Sequence, residues 1–165
     1  PHIFGDITVE GTEEVLKNWE EIKREEKDMK TEAQSMMNLP KTLPALMKAF
    51  KVQEKAARVG FDWDDVKGAF DKVYEELEEL KEVYNTGNSD KIREEMGDLI
   101  FACVNVARFL EVEPELAVND AVKKFIRRFD FVETEAAKSD KSLQEMNLQE
   151  MDALWEQSKN QEKKS

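Results

Sequence analysis

Two pairs of acidic residues carry the spacing in this sequence that most directly suggests chemistry. Glu76 and Glu79 lie in KVYEELEELKEV, and Glu95 and Asp98 lie in REEMGDLIFACVNVARFL. Each pair has i, i+3 spacing, which places its two carboxylates one above the other on a helix face. Two such helices packed antiparallel would direct four carboxylates towards one point. Clusters of oxygen ligands suit Mg²⁺, with Mn²⁺ as an alternative, and predict chemistry on phosphates.

Helical phase separates the first pair from the ordinary surface acids around it. At about 100° per residue, Glu76 falls roughly 80° and Glu79 about 140° from the centre of the apolar stripe, on the same side. Ala69 and Val83 share that flank, so we expect it to be partly covered. Glu75 falls on the opposite side, which phase alone assigns to solvent.

The second helix repeats this arrangement. Glu95 and Asp98 share one flank, which Ala102 and Asn105 continue. After Leu99 the helix is apolar nearly all round, and a helix of that kind is typically buried. An isolated charge at Asp98 would then be costly, and a bound cation would offset that cost.

Solvated acidic faces are the usual role of Glu-rich helices, so either pair alone would be weak evidence. Two pairs on matching flanks of consecutive helices favour a metal site. Lys124 and Arg128, one turn apart beside the next helix's apolar stripe, could contact phosphate oxygens or could pair with the protein's own acids. We prefer the second role for Arg127 and Lys123. Lys72 lies one turn before Glu76 and is a further candidate phosphate contact.

Composition limits the fold and the partners of the chain. Its 165 residues suffice for one domain, with 38% charged and 40% hydrophobic residues, 6 Gly and 4 Pro. This balance favours helix over sheet. A formal net charge of −12 and a pI of about 4.7 repel a polyphosphate backbone, so general nucleic-acid binding is excluded. A small phosphorylated ligand remains compatible, because local bases and a metal ion can reverse the sign of one pocket.

Single residues exclude other chemistries. Cys103 is the one cysteine, so no internal disulfide can form, and we expect a buried, inert thiol and a cytoplasmic setting. The single histidine, His2, disfavours histidine catalysis and a His-rich zinc site. The longest apolar run, Leu99–Ala107, is far shorter than the roughly 20 residues that span a bilayer. No signal peptide is visible, and a chain that begins with Pro1 suggests a processed protein or an excised part.

The pattern predicts helices separated by polar or glycine-containing breaks. A linker-like lead covers 1–12, a single domain 13–159 and a polar, fraying tail 160–165. The first two helices are predicted over 12–28 and 44–59, with a loop at 30–42 between them. The next two run from an Asp62 or Asp64 cap to 86 and from Ser89 or Asp90 to 110. The last two are predicted over 114–137 and after the capping boxes Ser142/Glu145 and Asn147/Glu150.

Several sequence motifs in this chain closely resemble those of the MazG family of nucleoside triphosphate pyrophosphohydrolases. They are RVGFDW (58–63), KVYEELEE (72–79), EEMGDLIFACVNVARFL (94–110), KKFIRRF (123–129) and MDALWEQSK (151–159). The lead PHIFGD and the segment NWEEIKREEK (18–27) resemble the inter-domain linker and first helix of two-domain members. The likeness therefore covers nearly the whole chain and identifies it as the second domain of such a protein.

The resemblance implies an all-α, dimeric helical bundle that binds Mg²⁺. It implies hydrolysis of nucleoside triphosphates to the monophosphate and pyrophosphate, with broad specificity in clearing unusual nucleotides. It makes Glu76, Glu79, Glu95 and Asp98 the metal ligands and catalytic residues. The implied substrate-binding residues are Lys72, Glu75, Glu94, Lys124, Arg128, Trp155, Lys159 and Lys23.

A mechanism follows as an expectation. Mg²⁺ on the carboxylates would bridge phosphate oxygens and orient a water, Glu79 could accept its proton, and Lys124 and Arg128 would stabilise the developing charge. Phe61, Trp63 and Trp155 could stack on the base, although core packing is the commoner role of such residues.

Two alternative functions remain open. One is a related all-α pyrophosphatase with a narrow substrate, such as dUTP, dCTP or phosphoribosyl-ATP. The other is a non-enzymatic helical interaction module. The apolar 90–110 helix needs cover on every side, which predicts a homodimer.

Overall fold

A computed structural model describes residues 9–26 and 31–165, and the described residues are helical with connecting turns. The predicted all-α fold is therefore confirmed for this part of the chain, whereas residues 1–8 of the predicted lead, including His2, lie outside it. The elements are α1 (Val9–Glu26), α2 (Glu32–Met37), α3 (Ala45–Arg58), α4 (Val66–Val83), α5 (Ser89–Phe109), α6 (Pro114–Ala137), a 3₁₀ turn (Leu143–Glu145) and α7 (Leu148–Lys164).

The two helices that carry the acidic pairs begin at side-chain caps, and α5 begins at Ser89, one of the two predicted starts. Asp65, not Asp62 or Asp64, caps α4 and accepts a 2.8 Å hydrogen bond from the Lys67 amide. Asn88 caps α5 by accepting a 3.1 Å bond from the Lys91 amide. Each cap satisfies an N–H that has no partner within the first helical turn, and this fixes where the acidic flank starts.

The segment 30–42, predicted as a loop, contains the short helix α2. A reciprocal capping box starts it: the Gln34 amide donates to Thr31 Oγ1 at 3.1 Å, and the Thr31 amide donates to Gln34 Oε1 at 3.2 Å. Ser35 is buried and accepts a 2.8 Å hydrogen bond from Lys55 Nζ on α3. Tertiary contact and capping outweigh the polar composition of this segment.

The last two helices begin where the sequence predicts. Pro114 occupies the first turn of α6, and the predicted capping box at Ser142/Glu145 forms before α7. Asn147 caps α7 by accepting a 2.8 Å hydrogen bond from the Glu150 amide, which is one half of the box predicted there. Helix α7 continues to Lys164, through residues predicted as a polar tail.

The chain divides into two compact units, one ending at Val112 and the other spanning Glu113–Ser165. In the first, α4 packs along α5, α3 packs on α5 and α2 packs on α3; in the second, α6 pairs with α7. The buried apolar side chains are small, so neighbouring helices can approach closely: Ala69, Ala102 and Val104 in the first unit, Val132 and Ala136 in the second.

Helix α5 is much less covered than predicted. Cys103 is exposed rather than buried, and Ile100 and Phe101 are each nearly half exposed. Within this unit α5 packs mainly on α4 and α3, so the rest of its apolar surface has no cover from those helices. The prediction of a buried thiol in a fully buried helix is therefore wrong for the single chain.

Among the described residues, no helix is both long and apolar enough to cross a membrane.

Candidate metal centre

Helices α4 and α5 bring the two acidic pairs together because they form a helical hairpin. Residues 84–88 join them, and helices linked by so short a connection run antiparallel. Both helices contain the sequence motif K-x-x-E-E-x-x-E/D. It spans Lys72–Glu79 (KVYEELEE) in α4 and Lys91–Asp98 (KIREEMGD) in α5. Antiparallel packing therefore brings two copies of one charge pattern face to face.

Three of the four predicted metal ligands converge at this interface. One carboxylate oxygen from each of Glu76, Glu79 and Glu95 lies within 4.8 Å of the other two. Glu76 and Glu95 are each only 5% exposed, and Glu79 is half-buried. Asp98 lies outside this group of oxygens and is exposed, so the expectation that it begins a buried segment is wrong for the single chain.

A lysine one turn earlier neutralises each buried glutamate. Lys72 Nζ lies 2.6 Å from Glu76 Oε1, and Lys91 Nζ lies 2.8 Å from Glu95 Oε1. These i, i+4 pairs raise the pKa of both lysines, chiefly through hydrogen bonds to the buried carboxylates. The sequence analysis did not identify Lys91 as a functional residue, although its position in the repeated motif matches that of Lys72.

The same two glutamates each retain a second oxygen that needs a partner. Oε2 of Glu76 and Oε2 of Glu95 are buried, and neither has a hydrogen-bond donor among the described residues. Burying a charged oxygen without a partner is costly. Two such oxygens beside a third carboxylate make an all-oxygen donor set, which fits a hard divalent cation such as Mg²⁺ or Mn²⁺.

Mutual repulsion among the carboxylates shifts their pKa values. The charge of Glu76 raises the pKa of Glu79, and the neighbouring carboxylate of Glu95 adds to that rise. The hydrogen bond from Lys91 lowers the pKa of Glu95. Partial desolvation, followed by the charges of Glu76 and Glu95, raises the pKa of Asp98. Asp98 therefore shares the electrostatic field of the cluster without joining its closest oxygens.

A cavity of about 780 Å³ adjoins the cluster within the first unit. Lys72, Glu76 and Asp98 line it together with side chains from α2, α3, α5 and the turn before α4. Its volume falls within the range of roughly 300–1,000 Å³ that is typical of small-molecule sites. The non-charged lining is mostly apolar: Met36, Val52, Ala56, Gly60, Phe61, Trp63, Phe101 and Ala102, with Gln53 and Asn105 as polar members.

The other predicted substrate-binding residues of this unit lie at exposed positions. Glu75 pairs with Lys72 at 2.9 Å, and Glu94 pairs with Lys91 at 3.1 Å. The exposure of Glu75 agrees with its helical phase, whereas the family resemblance assigns it to the nucleotide. Lys23 is exposed on α1.

The predicted counter-charges of α6 and α7 lie in the second unit. Nε and Nη2 of Arg128 both donate to Glu162 Oε2, at 3.0 and 2.7 Å, and Arg127 donates to the other oxygen of Glu162. The Arg128 guanidinium also lies 5.9 Å from the ring centre of Trp155. The expected pairing of Arg127 with a protein acid is thus confirmed, and Arg128 does the same.

Two further predicted residues of this unit have simpler surroundings. Lys159 pairs with Glu156 at 2.6 Å, and Lys124 is exposed.

The segment that carries the cluster matches a known protein family. Residues 60–132 match the family description "MazG nucleotide pyrophosphohydrolase domain". The matched segment contains all four predicted metal ligands as well as Lys72, Lys124 and Arg128, and it ends before Trp155.

Similar proteins extend the likeness along the chain. It is 43% identical over 164 residues to a nucleoside triphosphate pyrophosphohydrolase of Escherichia coli K12, covering 98% of this chain and 62% of that protein. It is 39% identical over 159 residues to the nucleoside triphosphate pyrophosphohydrolase/pyrophosphatase MazG of Thermotoga maritima, covering 96% of this chain and 59% of that protein. An uncharacterized Bacillus subtilis protein, YabN, is 45% identical over 166 residues, which are 34% of its length.

The chain thus spans about three fifths of the two named pyrophosphohydrolases. Residues 60–132 are thus similar to a MazG nucleotide pyrophosphohydrolase domain, and the named relatives are similar to this chain over nearly all of its length.

Proposed function

We propose that this chain hydrolyses nucleoside triphosphates to nucleoside monophosphate and pyrophosphate in a reaction that depends on Mg²⁺. The observation that carries the proposal is the convergence of Glu76, Glu79 and Glu95, with two buried oxygens that lack a hydrogen-bond partner. The names of the relatives supply the reaction class. Broad specificity, in clearing unusual nucleotides, is the form of the activity that the family resemblance favours.

Glu76, Glu79 and Glu95 would hold the cation, with Asp98 as the fourth ligand. The cation, when bound, supplies positive charge to the phosphate oxygens and makes a bound water more acidic. The chain itself must keep the ligands in register, and the hydrogen bonds from Lys72 and Lys91 do so by fixing one oxygen of each buried glutamate.

Proton transfer and charge stabilisation fall to different residues. Glu79 is the best placed proton acceptor, because it is less buried than Glu76 and Glu95 and has no lysine of its own at hydrogen-bond distance in the described structure. Lys124 and Arg128 are the proposed phosphate contacts, with Trp155, Lys159 and Lys23 as further substrate contacts. Arg128 would have to exchange Glu162 Oε2, which accepts both of its hydrogen bonds, for a phosphate oxygen.

The test is hydrolysis of each NTP with and without Mg²⁺, with identification of the phosphorus products. We expect pyrophosphate rather than single phosphate, and we expect Glu95→Gln or Asp98→Asn to abolish turnover while helicity is kept. Near-normal activity of either variant at saturating Mg²⁺ would show that the metal assignment is wrong. A panel that includes dUTP, dCTP and phosphoribosyl-ATP separates broad from narrow specificity. No hydrolysis of any nucleotide would favour the non-enzymatic interaction module.

We further propose that two copies of this chain associate through the uncovered surface of α5. Ile100 and Met96 are each more than two fifths exposed there, which is unusual for an apolar helix face. Sedimentation at micromolar concentration should give a dimer, and a stable monomer would contradict this.

Cytoplasmic location and correspondence to the second domain of a two-domain relative complete the proposal.

A further inference from the structure

The cavity beside the carboxylates has a second wall that the proposed chemistry leaves unused. We propose that this wall, formed by Phe61, Trp63 and Asn105, binds the nucleoside part of the substrate and prefers bases that carry a ring carbonyl. The inference rests on the proposed function for its ligand class, a nucleoside triphosphate, and adds the part of the site that recognises the base.

Helix α5 gives the cavity a length suited to a nucleotide. Asp98, Ala102 and Asn105 all line the cavity and lie on one flank of the helix. At 1.5 Å per residue, Asn105 lies about 10 Å further along the axis than Asp98. Ala102 is buried between them and its single methyl group leaves room above the helix. A ligand with its phosphates near Asp98 would therefore extend its nucleoside towards Asn105.

Two aromatic rings border the cavity in the turn before α4. Phe61 is 83% exposed and Trp63 is 48% exposed, although both line the cavity. An apolar ring so exposed contributes little to the core, so the expectation of core packing is not met at Phe61. An open aromatic face beside a phosphate-binding region is suited to stacking on a base.

A chain of hydrogen bonds fixes Asn105 as a donor. Arg108 Nε donates to Asn105 Oδ1 at 2.9 Å, and Arg108 Nη2 donates to Asp62 Oδ1 at 2.5 Å. Asp62 Oδ1 also accepts from the Trp63 amide at 2.9 Å, so the same chain anchors the aromatic turn. With its oxygen engaged, Asn105 has its amide N–H₂ left for a ligand. Such a donor favours uracil, thymine, guanine or cytosine, each of which carries a carbonyl, over adenine.

Gln53 supplies an independent sign that this wall needs a ligand. Its side chain is 8% exposed and lines the cavity, and its Nε2 donates to the Phe101 carbonyl at 2.8 Å. Oε1 is buried and has no hydrogen-bond partner among the described residues. A buried amide oxygen in that condition is an acceptor for a hydroxyl or amino group.

The experiment measures equilibrium binding in the presence of Mg²⁺, with α,β-imido-UTP, α,β-imido-ATP and inorganic tripolyphosphate as probes. Phe61→Ala should weaken binding of the UTP analogue about tenfold, within the range that one stacked base contributes, and leave tripolyphosphate binding unchanged. Asn105→Leu should weaken the UTP analogue about fivefold more than the ATP analogue. Tyr84→Ala, at an exposed aromatic on α4's C-terminal end outside the cavity, is the matched control and should change neither.

The outcomes separate the inference from the proposed function. Equal affinity of wild type and Phe61→Ala for the UTP analogue, or an equal loss for tripolyphosphate, would overturn the nucleoside wall. Binding that follows the expected pattern without pyrophosphate release from UTP would support the wall and refute the hydrolase. If Asn105→Leu does not fold, as judged by its helicity, Asn105→Ala tests the same selectivity between the two nucleotide analogues.

Discussion

A glycine in the first turn of α4 gives the sharpest test of how the cavity is built. A Cβ added at Gly68 would lie 2.8 Å from Cδ2 and 2.9 Å from Cε3 and Cγ of Trp63, well inside contact distance. The indole therefore packs face-on against the bare backbone of the helix. Gly68→Ala must displace a rigid ring rather than the end of a flexible side chain.

Two opposing terms set the size of the effect. Alanine is favoured over glycine in a helix by at most about 1 kcal/mol, the value for a helix interior. Trp63 is 48% exposed, so about half of its surface is buried. That is roughly 100 Å² at stake, or about 2.5 kcal/mol of apolar burial if the ring is expelled. The net loss is about 1.5 kcal/mol, and a protein of this size should lose roughly 3–6 °C in Tm.

Gly97 is the matched control, since it lies inside α5 and a Cβ there meets nothing within 4 Å. Gly97→Ala should raise the free energy of unfolding by about 0.5–1 kcal/mol. Thermal unfolding followed by circular dichroism measures both variants, and the emission of Trp63 should shift to the red only in Gly68→Ala. If the two variants are stabilised equally, the ring does not pack on Gly68 and this account of the cavity wall is wrong.

Three further perturbations test the electrostatics and the caps. Mg²⁺ at about 100 times its Kd should stabilise the protein by about 2.7 kcal/mol, or roughly 5–10 °C in Tm, and the Glu76→Gln variant should lose most of this stabilisation. A Tm shift no larger than that caused by ionic strength alone would indicate a plain acidic surface. Asp65→Ala removes the cap of α4 and should cost about 1 kcal/mol in a denaturant titration, whereas an unchanged midpoint would mean that the cap is dispensable. The hydrogen bond from Arg128 is the main cause that lowers the pKa of Glu162 below its ordinary 4.5, so the pair's stabilisation is fully present above that pH and declines as the pH falls through the lower, folded-state value. The difference in Tm between wild type and Glu162→Gln should therefore shrink on acidification, and a difference that grows instead would reverse the assigned sign.

Local chemistry explains where the sequence predicted the fold well. Pro114, the capping box at Ser142 and the Asn147 cap act within one helical turn, so their effect is readable without tertiary information. The segment 30–42 was different, because its polar composition hides a helix that depends on the Thr31 box and on contact with α3. The position of each cap among neighbouring Asp and Asn residues was likewise not separable by type alone.

Exposure was the property that the sequence predicted least well. Cys103 and Asp98 were expected to be buried because their helix is apolar on every side, yet both are exposed in the single chain. Apolar character makes burial of a residue favourable. Whether the residue is buried depends on which helices pack against it, and the sequence of its own helix does not show this. Association of two copies, as proposed here, would supply it for part of α5.

The sequence by itself determined the all-α fold class and the two matching acidic motifs, because i, i+3 spacing and capping are properties of a single helix. The same periodicity placed Lys72 one turn before Glu76, but the ion pairs of Lys72 with Glu76 and of Lys91 with Glu95 became evident only in the structure. Only the tertiary structure decided that Glu76, Glu79 and Glu95 meet while Asp98 lies outside their closest contact. Only it joined them to a cavity bordered by Phe61, Trp63 and Asn105. The physical reason is that convergence depends on the packing of α3, α4 and α5 against one another, and the period of one helix contains no information on that packing.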